Sequence, residues 1–196
     1  CPFDCSFCAS PQMWGRKYRA RSPENVLGEI EELVRIYGGR ALWIFDDTFT
    51  IDRARTVQIA EGIARRFPDL RWTCEIRVDT VDKELLALMQ RAGCYCVAFG
   101  VESGSQRVLD ESIGKRITLE EVRQVVDWCR QLRLSYNPFM ILSHPGETEE
   151  EALETMRLVS EWHADGAQVS MAVMHVYPGT RIEKLAREKG IIPQDF

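Results

Sequence analysis

The sequence predicts an α/β fold, a partial (β/α)6 barrel of the TIM type whose first strand is missing from this fragment. Strand-sized apolar segments alternate with longer amphipathic segments along the whole chain, and a helix cap or a glycine stands at most junctions. Strands that alternate with helices in this way pair in parallel through right-handed crossovers. We therefore expect a single domain over residues 1–196. One further strand is expected upstream of Cys1.

The predicted helices begin at polar caps and end at glycines or at a proline. Six helices are expected, running from Ser22 to Gly38, Asp52 to Phe67, Asp82 to Ala92, Thr118 to Leu132, Thr148 to His163 and Arg181 to Lys189. Continuous or alternating apolar runs between them predict five strands, Ala41–Asp47, Arg71–Arg77, Tyr95–Glu102, Tyr136–Leu142 and Val169–Val176. The segment from Cys8 to Arg21 is expected to be a loop.

Charge and hydropathy exclude some classes of protein. The net charge of −5 argues against a nucleic-acid surface, and the longest apolar stretches are too short for a membrane helix. The seven cysteines are not spaced as a disulfide framework, and Cys74, Cys94, Cys96 and Cys129 lie inside apolar segments. Buried free thiols of this kind are typical of a reducing cytoplasm.

Three cysteines at the N-terminus, Cys1-x-x-x-Cys5-x-x-Cys8, have the spacing of metal ligands. Three thiolates can hold three irons of a 4Fe–4S cluster and leave the fourth iron open to a small molecule, whereas an electron carrier closes its cluster with four. Zinc is the alternative metal, but a structural zinc site needs a fourth ligand. None of the three histidines stands in a zinc-like pair spacing.

Polar residues follow each predicted strand, where ligands of parallel α/β folds bind. They are Asp46, Asp47 and Thr48; Glu75, Arg77 and Asp79; Glu102, Ser103 and Ser105; Ser143, His144 and Glu147; and Tyr177 and Thr180. This set suits a zwitterionic ligand that carries a ribose. The plainer interpretation is that Glu102 forms a structural salt bridge and that Arg77 pairs with a neighbouring acid.

These motifs together resemble the radical S-adenosylmethionine (SAM) enzymes over essentially the whole chain. The resemblance rests on the cysteine motif with Phe7, and on the segments Asp46-Asp47-x-Phe49, Arg77-Val78-Asp79, Gly100-Val101-Glu102-Ser103-Gly104-Ser105 and Pro145-Gly146-Glu147-Thr148. The chain is most similar to the branch whose members often carry an upstream cobalamin-binding domain. Within that branch, residues 14–23 resemble the anaerobic magnesium-protoporphyrin monomethyl ester cyclases.

The resemblance implies that Cys1, Cys5 and Cys8 ligate a 4Fe–4S cluster whose open iron is chelated by SAM. It also implies that Asp46 or Asp47 accepts hydrogen bonds from the methionyl amine.

For the rest of SAM, the resemblance implies that Glu102 accepts from the ribose hydroxyls with Ser103 nearby. Backbone up to Ser143, together with Tyr177, would flank the adenine. Arg77, or Arg116 as a second choice, would balance the methionyl carboxylate.

One position departs from the pattern of the family, which usually has a glycine ahead of Pro-Gly-Glu-Thr. Here Ser143 and His144 stand before Pro145. If that position needs a positive φ, we expect His144 to project toward the substrate.

The resemblance implies reductive cleavage of SAM to a 5′-deoxyadenosyl radical that abstracts hydrogen from a substrate. The expected outcome is oxidative cyclisation, or methylation of an unactivated carbon, on a porphyrin-like or lipid-like small molecule. A flavodoxin- or ferredoxin-type protein would donate the electron. The alternatives are a methylthiotransferase acting on tRNA or ribosomal protein, and a non-catalytic iron–sulfur or zinc module.

Overall fold

The structure, a computed structural model, describes residues 1–195. Seven α-helices lie in this part of the chain: α1 (Ser10–Trp14), α2 (Pro23–Tyr37), α3 (Arg53–Arg66), α4 (Lys83–Arg91), α5 (Leu119–Leu132), α6 (Glu149–Ala164) and α7 (Arg181–Glu188). Five strands alternate with them: β1 (Ala41–Ile44), β2 (Arg71–Ile76), β3 (Cys94–Glu102), β4 (Ser135–Leu142) and β5 (Ser170–Val173). None of the helices in residues 1–195 is long and apolar enough to cross a membrane.

The five strands form one sheet in the order β1-β2-β3-β4-β5. β1 pairs with β2 in parallel, β2 pairs with β3 in parallel, and β4 pairs with β5 in parallel. Each strand is thus followed in the sheet by the next strand of the chain, as the alternating sequence predicts for right-handed crossovers.

The chain divides into two compact units. One comprises residues 1–18, 100–120 and the chain from Pro138 onward, and the other comprises residues 19–99 and 121–137. The first unit contains residues 1–8, which we call the cysteine loop, and α1, α6, β5 and α7. The second contains β1, β2 and the helices α2, α3 and α4. Strands β3 and β4 contribute residues to both units.

Four buried thiols belong to the core of the second unit. Cys74, Cys94 and Cys129 are fully buried, Cys96 is nearly so, and all four are free. Burial raises the pKa of Cys74, that of Cys96 to about 11 and that of Cys129 to about 12. These three side chains therefore stay uncharged at neutral pH. This confirms the prediction that they pack as small apolar residues.

Most predicted helix starts are confirmed at the predicted caps. The side chains of Ser22, Asp52, Asp82 and Thr148 each accept a hydrogen bond from a backbone N–H of the first turn. The prediction is wrong at some strand ends and in the first loop. β1 ends at Ile44 rather than Asp47 and β5 ends at Val173 rather than Val176, while α1 forms within the predicted loop. A proline in the first turn favours α1 because its fixed φ suits a helix start.

A π-helical segment, Val108–Ile113, follows β3 and was not predicted. Its register is set by the Gly114 N–H, which donates to the Leu109 carbonyl five residues earlier. The apolar side chains of Val108, Leu109 and Ile113 are all buried. This segment carries the chain from the end of β3 to α5.

The start of α6 is held by a network around Glu151. Thr148 and Glu151 form the predicted capping box, and the Glu151 carboxylate also accepts hydrogen bonds from Ser105 and Arg107. The hydrogen bond from Arg107 is the largest cause that lowers the pKa of Glu151, to about 2. One carboxylate thus joins α6 to the chain that follows β3.

We predict that Glu151→Ala lowers the free energy of unfolding at neutral pH by about 1–2 kcal/mol, because a cap and an ion pair are lost. The folded pKa lies below the unfolded value, so the contribution is present above about pH 4.5 and fades as the pH falls toward 2. Urea unfolding of both proteins over this range measures the difference. Glu150→Ala, on the same turn, is the control and should change stability by less than about 0.5 kcal/mol. A difference that stays constant down to pH 2 contradicts the assignment.

Candidate functional site

The cysteine loop is anchored at its middle by Ser6. The Ser6 N–H donates to the Ile113 carbonyl at 2.8 Å, and its hydroxyl donates to the Ser112 carbonyl at 2.5 Å. The Ser6 carbonyl accepts from the Ile182 N–H at 3.0 Å. Ser6 is buried, so these bonds are protected from water. The π-helical segment and the start of α7 therefore fix the point of the loop that lies between Cys5 and Cys8.

A second tie to the same loop runs through Asp4. Its carboxylate forms ion pairs with Arg16 and Arg181, and Arg181 also donates to its backbone carbonyl. The hydrogen bond from Arg16 lowers the pKa of Asp4. The charge of Asp4, which lies between the first two cysteines, is thus balanced by neighbouring arginines.

The three N-terminal cysteines are half-buried, and within residues 1–195 none of them is in a disulfide. In residues 1–195 no group of three or more histidine, cysteine, aspartate or glutamate side chains is placed to hold one metal ion. A 4Fe–4S cluster takes each thiolate on a different iron, so its ligands need not meet at one point. Soft thiolates on an anchored loop, partly exposed, fit the chemistry of such a cluster.

The two aspartates after β1 have different surroundings. The Asp46 carboxylate lies 3.8 Å from the guanidinium of Arg55, a residue of α3 that is largely buried. Asp47 lies close enough to Glu75 to affect its carboxyl group. Burial is the largest cause that raises the pKa of Glu75, and the negative charge of Asp47 is the second. Arg55 is thus a cation near Asp46, and Asp47 is a like charge near Glu75.

Arg77 is buried after β2 and is bound by Asp79. Its Nε and Nη2 each donate to a carboxylate oxygen of Asp79 at 2.9 Å. This bidentate pair agrees with the plainer interpretation of the sequence, in which Arg77 pairs with a neighbouring acid rather than with a ligand.

Glu102 ends β3 with a buried carboxylate. Its Oε1 lies 2.7 Å from the Nζ of Lys115, a partner that the sequence analysis missed. No periodic pattern links two residues thirteen positions apart, so the sequence held no signal for this pair. The neighbouring Ser103 is fully buried, and its hydroxyl accepts from the Ser105 N–H and lies 3.4 Å from that of Thr155.

The chain after β4 adopts the positive φ that the missing glycine suggested. Ser143 has φ 66°, and its N–H donates to a carboxylate oxygen of Glu147 at 2.7 Å. His144 is buried, with its Nε2 3.0 Å from the Ile141 carbonyl and 3.3 Å from that of Glu102. His144 thus joins the end of β4 to the end of β3.

Tyr177, by contrast, is exposed, and its carbonyl accepts from the Thr180 hydroxyl that caps α7. Arg116, the second choice for the methionyl carboxylate, is exposed and has φ 58°.

The predicted site residues are divided between the two units. The cysteines, Glu102, Ser103, Ser143 and Tyr177 belong to the first unit, and Asp46, Asp47 and Arg77 belong to the second. Within the first unit, His144 joins the ends of β3 and β4, and Lys115 binds the end of β3.

A family model, the radical SAM superfamily, matches residues 1–159. The chain belongs to the radical SAM superfamily. The predicted family is confirmed, and with it the expectation of an enzyme rather than a non-catalytic electron carrier or zinc module.

Two relatives and one solved structure show where this radical SAM chain lies within longer proteins. An uncharacterized methyltransferase of Pyrococcus horikoshii is 36% identical over 95% of this chain and 40% of its own length. The anaerobic magnesium-protoporphyrin IX monomethyl ester cyclase of Cereibacter sphaeroides is 35% identical over 87% of this chain and 28% of its own length. The structure of the radical SAM methyltransferase TsrM from Kitasatospora setae, with cobalamin and a [4Fe–4S] cluster bound, has a TM-score of 0.82 at 24% identity, covering 96% of this chain and 38% of TsrM.

The likeness to TsrM confirms the predicted fold class, the partial barrel of the radical SAM core. The chain spans less than half the length of these relatives, so the activity of the whole protein is a matter for proposal.

We predict that Ser143→Gly raises the free energy of unfolding by up to about 1 kcal/mol, because glycine adopts a positive φ without steric cost. The greater conformational entropy of glycine in the unfolded chain offsets part of this gain. Urea unfolding measures the change. Ser160→Gly in the exposed middle of α6 is the control and should lose about 1 kcal/mol. Equal losses in the two variants would show that the backbone at Ser143 is unstrained.

Proposed function

We propose that this chain is the core of a cobalamin-linked radical SAM enzyme, in which Cys1, Cys5 and Cys8 hold a 4Fe–4S cluster and leave one iron to SAM. The observation that carries the proposal is the anchored loop: Cys1, Cys5 and Cys8 are half-buried on a loop that Ser6 fixes, in a chain of this family. When bound, the cluster supplies the electron that cleaves SAM to the 5′-deoxyadenosyl radical, which takes hydrogen from a substrate.

The methionyl amine is assigned to Asp47, with help from Glu75. An ammonium group is drawn to two carboxylates that repel one another, and binding it relieves the repulsion that raises the pKa of Glu75. Asp46, which lies 3.8 Å from the guanidinium of Arg55, is the second choice for this role.

The ribose is assigned to the carboxylate of Glu102, because an ionised carboxylate accepts two hydroxyl donors. The hydroxyl of Ser103 is engaged within the protein, so Ser103 shapes the turn after β3. Residues near Ser143 and the ring of Tyr177 are proposed to flank the adenine. The methionyl carboxylate would share Arg77 with Asp79.

The reaction is proposed to be methylation of an unactivated carbon or oxidative cyclisation of a small molecule, porphyrin-like or lipid-like. Similarity to a methyltransferase and to a cyclase supports both outcomes. Cobalamin would bind in a domain upstream of this chain, and a flavodoxin- or ferredoxin-type protein would deliver the electron in the cytoplasm.

The cluster assignment is tested by anaerobic reconstitution with iron and sulfide. With dithionite and SAM, the protein should release 5′-deoxyadenosine, and Cys5→Ala should abolish both the cluster absorption and this product. Cys96→Ala, at a buried core thiol, is the matched control and should keep both. Loss of the cluster in the control alone would contradict the assignment. With substrate, methylation yields S-adenosylhomocysteine as well, and cyclisation does not.

The amine assignment predicts that Asp47→Asn weakens SAM binding about tenfold, the value of one charge-assisted hydrogen bond. Equilibrium dialysis with the reconstituted protein measures it, and Asp69→Asn on an exposed turn is the control. Affinity should fall as the pH drops through the raised pKa of Glu75, because a protonated carboxyl no longer attracts the ammonium. Glu75→Gln should remove this pH dependence. Unchanged affinity in Asp47→Asn would return the role to Asp46.

A further inference from the structure

Glu102 and Lys115 form a buried ion pair. The side chain of Glu102 is 8% exposed and that of Lys115 is 7% exposed. The ammonium lies 2.7 Å from Oε1 of Glu102 and donates at 2.7 Å to the carbonyl of Gly100. Two of its three donors are thus directed to fixed acceptors on β3.

The pair lies directly over Gly100. A Cβ atom at this position would overlap both Oε1 of Glu102 and Nζ of Lys115. The space that the missing side chain leaves is therefore filled by the two charged groups. Any larger residue at position 100 must displace them.

The backbone of Glu102 is held as well. Glu102 has φ 79°, which is unusual for a residue other than glycine. Its carbonyl lies 3.3 Å from Nε2 of His144. Backbone and carboxylate are thus each fixed by a different partner, as expected where a side chain must keep one orientation.

We propose that Lys115 is a positioning residue, which keeps the Glu102 carboxylate ionised and oriented to accept the vicinal hydroxyls of a ribose. This inference rests on the proposed function. Without a cation, burial favours the neutral form of a carboxyl group. The protonated group becomes a donor at one oxygen and no longer matches two hydroxyl donors. Two ionisable side chains contact Glu102: Lys115 at the carboxylate and His144 at the carbonyl.

The test is SAM binding to the anaerobically reconstituted protein as a function of pH. Lys115→Met should weaken binding about tenfold at neutral pH, and the loss should diminish as the pH rises, because high pH favours the charged form of a carboxyl group. Wild-type binding should lack this recovery. Lys184→Met, at a lysine that is 81% exposed, is the matched control and should follow the wild type. Equal affinity and equal pH profiles in Lys115→Met and wild type overturn the inference.

A double variant separates positioning from a general effect on the structure. If Lys115 acts only through the carboxylate, Glu102→Gln with Lys115→Met should bind no more weakly than Glu102→Gln alone. Additive losses would contradict the inference. Gly100→Ala keeps both charges and displaces them, so it should also weaken binding, and it provides the test if Lys115→Met fails to fold.

Failure of the inference differs from failure of the proposed function. If wild-type protein carries a cluster and binds SAM but Lys115→Met binds equally well, only the inference is wrong. If wild-type protein with a full cluster binds no SAM, the proposed function is wrong. Cluster absorption in every variant distinguishes the two.

Discussion

A charged group inside a protein needs an opposite charge or several hydrogen bonds, and the end of β3 is organised by this requirement. The Glu102 carboxylate lies in the interior at the end of an apolar strand, so the chain must return a cation to it. The π-helical segment brings Lys115 back to β3, and Gly100 leaves the space that the pair occupies. Loss of any one of these three features leaves a buried charge without its partner.

Two levels of structure were accessible from the sequence. Helix starts follow from short-range chemistry, since a hydroxyl or carboxylate three residues before a backbone N–H can cap it; Thr148 and Asp52 were predicted for this reason. The position of Glu102 followed from the rule that ligand groups stand at the ends of parallel strands. Both arguments need only neighbouring residues and a topology.

The cations that face the carboxylates were not accessible from the sequence. Spacing alone does not single out Lys115 for Glu102 or Arg55 for Asp46, whereas a neighbouring acid was expected for Arg77. The shortened β1 and the helix α1 were missed because apolar or polar composition sets no sharp boundary. The positive φ at Ser143 was considered in the sequence analysis but not predicted. A glycine at this position would have indicated it, whereas a serine gives no such indication.

The anchor at Ser6 links the beginning of the chain to a residue near its end. The carbonyl of Ser6 is satisfied by the N–H of Ile182, which the ribosome adds more than 170 residues later. Until that stretch has been synthesised, the loop that carries the three thiols lacks one of its anchors. If these thiols hold the proposed cluster, we expect cluster insertion to follow translation of α7.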